Sequence, residues 1–354
     1  MLYFPKFEPL ITVMRNLFPT LLLVCVTGIA KAQDPHFSQF YASPLTLNPA
    51  FTGKFDGNVR VAGNYRNQWP SINRAFQTAT VAVDFPILKN VVDEFDRFGV
   101  GVAGYTDKGA DGAINFNYLS VSTAYHKALD EDGYKQLGLG FQGTYSNMII
   151  NTTKLTFENQ LDLNGTWTRP SGETFDNVSL NKSYFDLNAG LLYTQSTTDR
   201  NNYYAGVSLY HINRPDQTFN AGPAYLTYNL AMRTTLHAGG YFATGETSTL
   251  HVSALYSTQA GASETLVGGA MQVATSDMNT TETPVSFYAG AWLRLGDAFI
   301  PYLGLEWNNL RFGATYDINT SDLKTASQSR GGIELSLIYI ARTPGSKGLP
   351  CPKF

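Results

Sequence analysis

Along most of this chain apolar and polar residues alternate one by one. After residue 57 the period is two: Val59, Val61 and Gly63 alternate with Arg60, Ala62 and Asn64. The same rhythm runs through 76–85, imperfectly and ending at Pro86, then through 98–105 (FGVGVAGY), 114–125 (INFNYLSVSTAY) and 138–145 (GLGFQGTY). It returns at 185–195, 203–212, 225–243, 249–258, 265–275, 285–295, 299–307, 310–318 and 332–341. Together these segments predict about fourteen strands, with 225–243 long enough to bend or split. Most are close to the ~9–11 residues a tilted strand needs to cross a bilayer. An even count is what a single-chain bacterial barrel requires.

Outside the N-terminus no segment approaches the ~18 consecutive apolar residues of a helical span. A membrane protein of this sequence must therefore be a closed barrel, because in lipid only helices and closed barrels satisfy every backbone group. Composition supports that reading. Only 15% of the 354 residues are charged, aromatics reach 13% and mean hydropathy is -0.16. One lipid face and one wet face produce this mixture. A soluble array of β-sandwiches is the alternative. The fold class read here is all-β: a transmembrane outer-membrane β-barrel of about fourteen antiparallel strands with an irregular N-terminal segment.

Residues 1–32 read as a signal peptide. Arg15 supplies the positive start, 17–29 is largely apolar, and Ala30-Lys31-Ala32 fits a small-x-small cleavage site. Met14 would start a signal of ordinary length. Cys25 goes with the signal, which leaves Cys351 as the single mature cysteine and no intramolecular disulfide. The remaining divisions are 33–56, a periplasmic or plug segment; 57–342, the barrel; and 343–354, a tail. In an even-stranded barrel both termini lie in the periplasm, so 33–56 should start there, to hang free or to fold into the lumen. The polar stretch 151–183 reads as an extracellular loop holding a small hairpin.

Glycines inside strands weaken a flat sheet. Here Gly99, Gly101, Gly104, Gly138, Gly140, Gly143, Gly239 and Gly240 would ease curvature or make room for an inward plug. Trp69, Tyr105, Tyr145, Tyr193, Tyr241, Trp292 and Trp307 lie near strand ends and suit interfacial girdles.

A formal net charge of -3 without a basic block argues against nucleic acid as a partner. The five histidines are scattered and show no metal-ligand spacing. No GxSxG elbow occurs. Gly99-x-Gly101-x-x-Gly104 matches a dinucleotide fingerprint only formally, since it sits within a strand and no helix follows. Neither an enzyme nor a cofactor site is indicated.

Two constellations remain. The first is 33–53 (QDPHFSQFYASPLTLNPAFTG), from which Asp34, Pro35, His36, Phe37, Ser38, Gln39, Phe40, Tyr41, Asn48, Pro49, Ala50, Phe51 and Gly53 are the candidate plug or partner residues. Its aromatics allow it to dock, and Pro35, Pro44 and Pro49 bar a long helix or a central strand. It serves either as a plug in its own barrel or as a docking site for a periplasmic partner. The second is Tyr65, Arg66, Asn67, Gln68 and Trp69. An arginine at midplane on the lipid face costs ~2–4 kcal/mol, so Arg66 should face the lumen or a rim. Asp84 on the next strand is its expected partner.

The 33–53 string closely resembles the start of mature PorP/SprF proteins. YRNQWPS (65–71), YTDKG (105–109), Tyr125-His126, GFQG (140–143), Tyr210-His211 with Pro215, 237–241 and the tail Cys351-Pro352-Lys353-Phe354 are also similar, in order. Cys351, Pro352 and Phe354 are the tail candidates; a terminal aromatic beyond the last strand departs from the usual barrel ending. The resemblance implies an outer-membrane barrel of a type IX secretion and gliding system in a Bacteroidota-like bacterium. Its implied partners are outer-membrane lipid, a secreted or surface-anchored adhesin-type cargo and components of a periplasmic secretion ring. A passive channel for small or hydrophobic solutes is the alternative, and a purely structural barrel holding a periplasmic complex is another.

Overall fold

In the computed structural model, residues 34, 36–72, 76–89, 91–173, 179–198, 200–219, 228–276 and 285–342 are described. The expected signal peptide, Pro35 and the tail with Cys351, Pro352 and Phe354 lie outside them. Fourteen antiparallel strands close on themselves. They are β1 (Val59–Gln68), β2 (Phe76–Ile87), β3 (Arg97–Gly109), β4 (Ile114–Ala128), β5 (Lys135–Asn151), β6 (Ser179–Thr198) and β7 (Asn201–Tyr210), followed by β8 (Arg233–Ala243), β9 (Ser248–Gln259), β10 (Ala262–Ala274), β11 (Ser286–Arg294), β12 (Ala298–Trp307), β13 (Leu310–Asn319) and β14 (Arg330–Ala341). Each pairs with its sequence neighbours, and β1 closes the ring on β14 from Val59↔Ala341 to Gln68↔Gly332. The stretch expected over 225–243 is a strand only from Arg233.

The alternation is inside out relative to a soluble protein. On β5, Leu139, Phe141 and Tyr145 are about half exposed, while Gln136, Gln142, Thr144 and Ser146 are buried. Val81, Val83 and Phe85 on β2 likewise point outward, with Thr78, Thr80 and Asp84 inward. Apolar side chains on the outside are stable only against lipid, so the pattern is that of an outer-membrane barrel. Closure leaves no unpaired strand edge.

The connections differ between the two mouths. One mouth, here the loop mouth, carries the long connections 152–178 and 211–232. At the other, the turn mouth, β1 begins, β14 ends and β6–β7 and β12–β13 join tightly. Within 152–178 a small hairpin closes through Leu161↔Trp167. Asp162 folds it by accepting from the amides of Asn164 and Thr166 and from the hydroxyls of Thr166 and Thr168.

Two expected girdle residues are not on the outside. Tyr241 and Trp292 are buried, facing the lumen, because their strand parity points them inward. Tyr145 and Trp307 are exposed as a girdle requires.

A lumenal plug as the candidate functional site

Residues 36–56 run through the interior of the barrel as short helical turns at Phe40–Ala42, Pro44–Leu47 and Pro49–Phe51. Prolines start the second and third turns and prevent any of them from lengthening. A segment that touches inward-facing residues all round a closed ring can lie only in its lumen. This one does so, reaching for example Arg66, Asp84, Ser122, Gln142, Ser208, His237, Trp292, Asp317 and Glu334.

The segment is held at both mouths by buried charge. Near the loop mouth the Glu334 carboxylate accepts from the backbone amides of Ser38 (2.7 Å) and Gln39 (2.9 Å). The Ser38 hydroxyl donates to Asp317 and accepts from Arg294. Arg66 donates to the His36 carbonyl at 2.6 Å and pairs with Asp317 at 3.0 Å; Arg294 pairs with the same Asp317 oxygen at 2.9 Å. Gln39 is fully used as well: its amide nitrogen reaches the Glu334 carbonyl, and its oxygen accepts from Ser336.

Near the turn mouth Arg60 grips Asp84 with two parallel hydrogen bonds of 2.9 and 2.8 Å, and both side chains are at most 1% exposed. Asp84 also accepts from the Gly53 amide, and Arg60 donates to the Phe51 carbonyl and lies over the Phe55 ring. Lys54 meets Gln136, and Arg97 meets the Phe55 carbonyl. Buried ions of this kind persist only when paired and hydrogen-bonded, and here each anchor includes plug backbone among its partners.

Between the anchors, Asn48 is the central contact. Its amide nitrogen donates to the Leu191 and Val207 carbonyls and touches His237 Nε2, while its oxygen caps the next turn at the Ala50 amide. The wall here is cut away by glycine. A Cβ on Gly190 would strike the Asn48 side chain, and one on Gly140 would strike the Pro49–Ala50 backbone. Gly99 and Gly101 likewise face Thr52 and Leu45, whereas Gly104 faces only Val81.

The sequence-derived candidates fall as follows. Phe37, Ser38, Gln39, Phe40, Asn48, Pro49, Ala50, Phe51 and Gly53 are buried, and His36 and Tyr41 are part-exposed. Asp34 belongs to a separate unit, residues 1–34. Arg66 faces inward, but the expected Arg66–Asp84 pair does not form. The two lie near opposite mouths, and each is taken by a partner at its own level: Asp317 for Arg66, Arg60 for Asp84. Tyr65 faces outward, Asn67 and Gln68 are half-buried, and Trp69 turns the chain with a positive φ and packs against Phe76. The segment was expected to start at the mouth where β1 begins; His36 instead lies at the loop mouth beside Arg66, and the chain descends the lumen before turning into β1.

Sequence reasoning did not single out Arg60, Arg294, Asp317 and Glu334 as plug anchors. The available signal was their parity, since each is an ionisable residue inside a strand in register with polar, inward positions.

A family model described as "Type IX secretion system membrane protein PorP/SprF" matches residues 29–339. The fold is similar to that of solved outer-membrane barrels. A toluene transporter, TbuX of Ralstonia pickettii, aligns with TM-score 0.50 at 9% identity over 85% of this chain and 93% of its own. A FadL homologue of Pseudomonas aeruginosa aligns with TM-score 0.46 at 12% identity over 84% and 94%. No curated protein sequence matches the chain.

Proposed function

Because the chain belongs to the PorP/SprF family of type IX secretion system membrane proteins, we propose that it supports export or surface attachment of adhesin-type cargo as a plugged, non-enzymatic receptor barrel. It is a membrane component of that system in the outer membrane. The observation that carries it is the plug. A lumen anchored to its own N-terminal segment at both mouths favours a barrel that holds a partner over one that passes material freely. The turn mouth, where both barrel termini lie, would face the periplasm and the secretion ring. Energy for export would come from other components, since the sequence has no phosphate-binding loop.

The test compares surface and secreted proteins with and without the gene, followed by cross-linked pull-down of the intact barrel. Loss of one or a few large adhesins, one of them recovered with the barrel, is the expected result. Loss of many exported proteins would instead make it core machinery. An unchanged surface proteome with altered solute uptake would overturn the reading in favour of a passive channel. Deleting 34–53 sharpens the test: the barrel should still fold, seen as heat-modifiable gel mobility, while export or attachment fails.

A further inference from the structure

The seam where β1 meets β14 joins the two ends of the barrel. Every other strand pair is tied by the connection between its strands; this one has no such tie. Chain entropy therefore opposes this pairing more than any other, since nothing short holds its partners near each other.

The plug supplies the missing tie. Four successive register pairs face the lumen along the seam: Arg66 with Glu334, Asn64 with Ser336, Ala62 with Ile338 and Arg60 with Ile340. At each level both strands engage the plug. Arg66 donates to the His36 carbonyl, while Glu334 accepts from the Ser38 and Gln39 amides. At the next level the Ser336 hydroxyl donates to the Gln39 side-chain oxygen at 2.7 Å. Asn64, with its amide oriented so that donor meets acceptor, reaches the Ala42 carbonyl at 3.1 Å. Below that, Ala62, Ile338 and Ile340 form one buried apolar cluster with Ala42 and Phe55 of the plug. Arg60 donates to the Phe51 carbonyl and lies over the Phe55 ring. At the turn mouth Arg342, just past β14, donates to the Asp56 carbonyl and pairs with its carboxylate at 3.6 Å. Inward pairs elsewhere bond directly to each other: Ser120 and Thr144 across β4 and β5 at 2.8 Å, and Ser196 and Asn202 across β6 and β7 at 2.7 Å.

We propose that the plug is the inner clasp of the β1–β14 seam: it holds the two end strands together, and its departure loosens this seam before any other. A partner that draws the plug out at either mouth would thereby weaken the wall at one defined place. The inference rests on the lumenal contacts and does not depend on the export role.

The test follows the full-length protein in detergent through a urea series by hydrogen exchange, with protease cleavage within 36–56 reporting release of the plug. The amides of β1 and β14 should lose protection at the urea concentration at which 36–56 becomes cleavable, while β9 and β10 stay protected to higher urea. Gly190→Ala then acts on the plug from a distance, because its added methyl strikes Asn48 on β6, far round the ring from the seam. With heat-modifiable mobility reporting a folded barrel, exchange in β1 and β14 should quicken at least tenfold in this variant. Exchange in β9 and β10, nearer to Gly190 round the ring, should be unchanged. If Gly190→Ala leaves 36–56 resistant, the urea series on the native chain decides alone. Seam amides that stay protected once 36–56 is cleaved, a seam that opens while 36–56 is still resistant, or loss of protection in β9 and β10 together with the seam would overturn the proposal.

Discussion

The two halves of the lumen wall treat the same plug differently. On β3, β5 and β6 the wall is glycine at Gly99, Gly140 and Gly190, and plug backbone or a short polar side chain presses directly against it. On β8–β12 the wall is aromatic, and Tyr41 of the plug stacks on Trp292 beside a gap. Where the plug must be held in register, the wall gives up side chains so that carbonyls, amides and Asn48 can meet. Where register is already set, large side chains fill space loosely and leave a cavity. Between the mouths the glycine side fixes the plug and the aromatic side leaves room beside it, while the charged anchors at the mouths sit on β1, β2, β11, β13 and β14.

That comparison can be broken at the glycine side. The largest effect should come from Asp84→Ala, which strips the turn-mouth anchor and leaves Arg60 buried without its carboxylate. Breaking a buried pair costs about 3–5 kcal/mol, read as a lowered midpoint for loss of the folded gel form in a urea series. Replacing Arg66 and Asp84 by each other's charge should not recover stability, because Asp317 and Arg60 are their partners. Next comes overpacking: Gly190→Ala or Gly140→Ala should cost about 1–3 kcal/mol and open 36–56 to protease. Gly104→Ala, where the added methyl meets only Val81 at 3.8 Å, should change neither reading.

At the aromatic side, Tyr302→Phe keeps the ring and its volume. It should shift the same midpoint by less than about 1 kcal/mol. A shift as large as that of Gly190→Ala would erase the distinction between the halves. The smallest effect lies outside both, in the 152–178 hairpin. The Thr166 amide and hydroxyl, with the other donors of that turn, hold the exposed Asp162 carboxyl down to about 2. Since its pKa is depressed on folding, the turn keeps its full support above the unfolded value near 4 and loses it as pH falls towards 2. The protection of the Thr166 amide against exchange, taken relative to its intrinsic rate at each pH, should fall over that window in the native protein and be low at all pH in Asp162→Asn.

Much of the architecture was legible in the chain because a barrel is written locally. Period-two alternation needs only neighbouring residues, so fourteen segments could be counted, and a plug was one of two roles that the aromatics and prolines of 33–53 suggested. The pairing of Arg66 was not legible. Adjacent strands bring Arg66 level with Thr78, not with Asp84, and only the closure of β1 on β14 brings Glu334 opposite Arg66. The girdle reading of Tyr241 and Trp292 failed for a related reason: nearness to a strand end says nothing about which face a ring takes, which depends on parity within the closed sheet.

What the sequence determined by itself was the class of molecule: low charge, alternating strands of bilayer length and a proline-broken aromatic leader permit a lipid-facing barrel and little else. Only the tertiary structure decided that the leader threads its own lumen, which carboxylates receive its amides and where a ring-lined gap remains. Those are relations between residues hundreds of positions apart, such as Ser38 and Glu334. They exist only once the ring has closed and the inward side chains have been brought round a common axis.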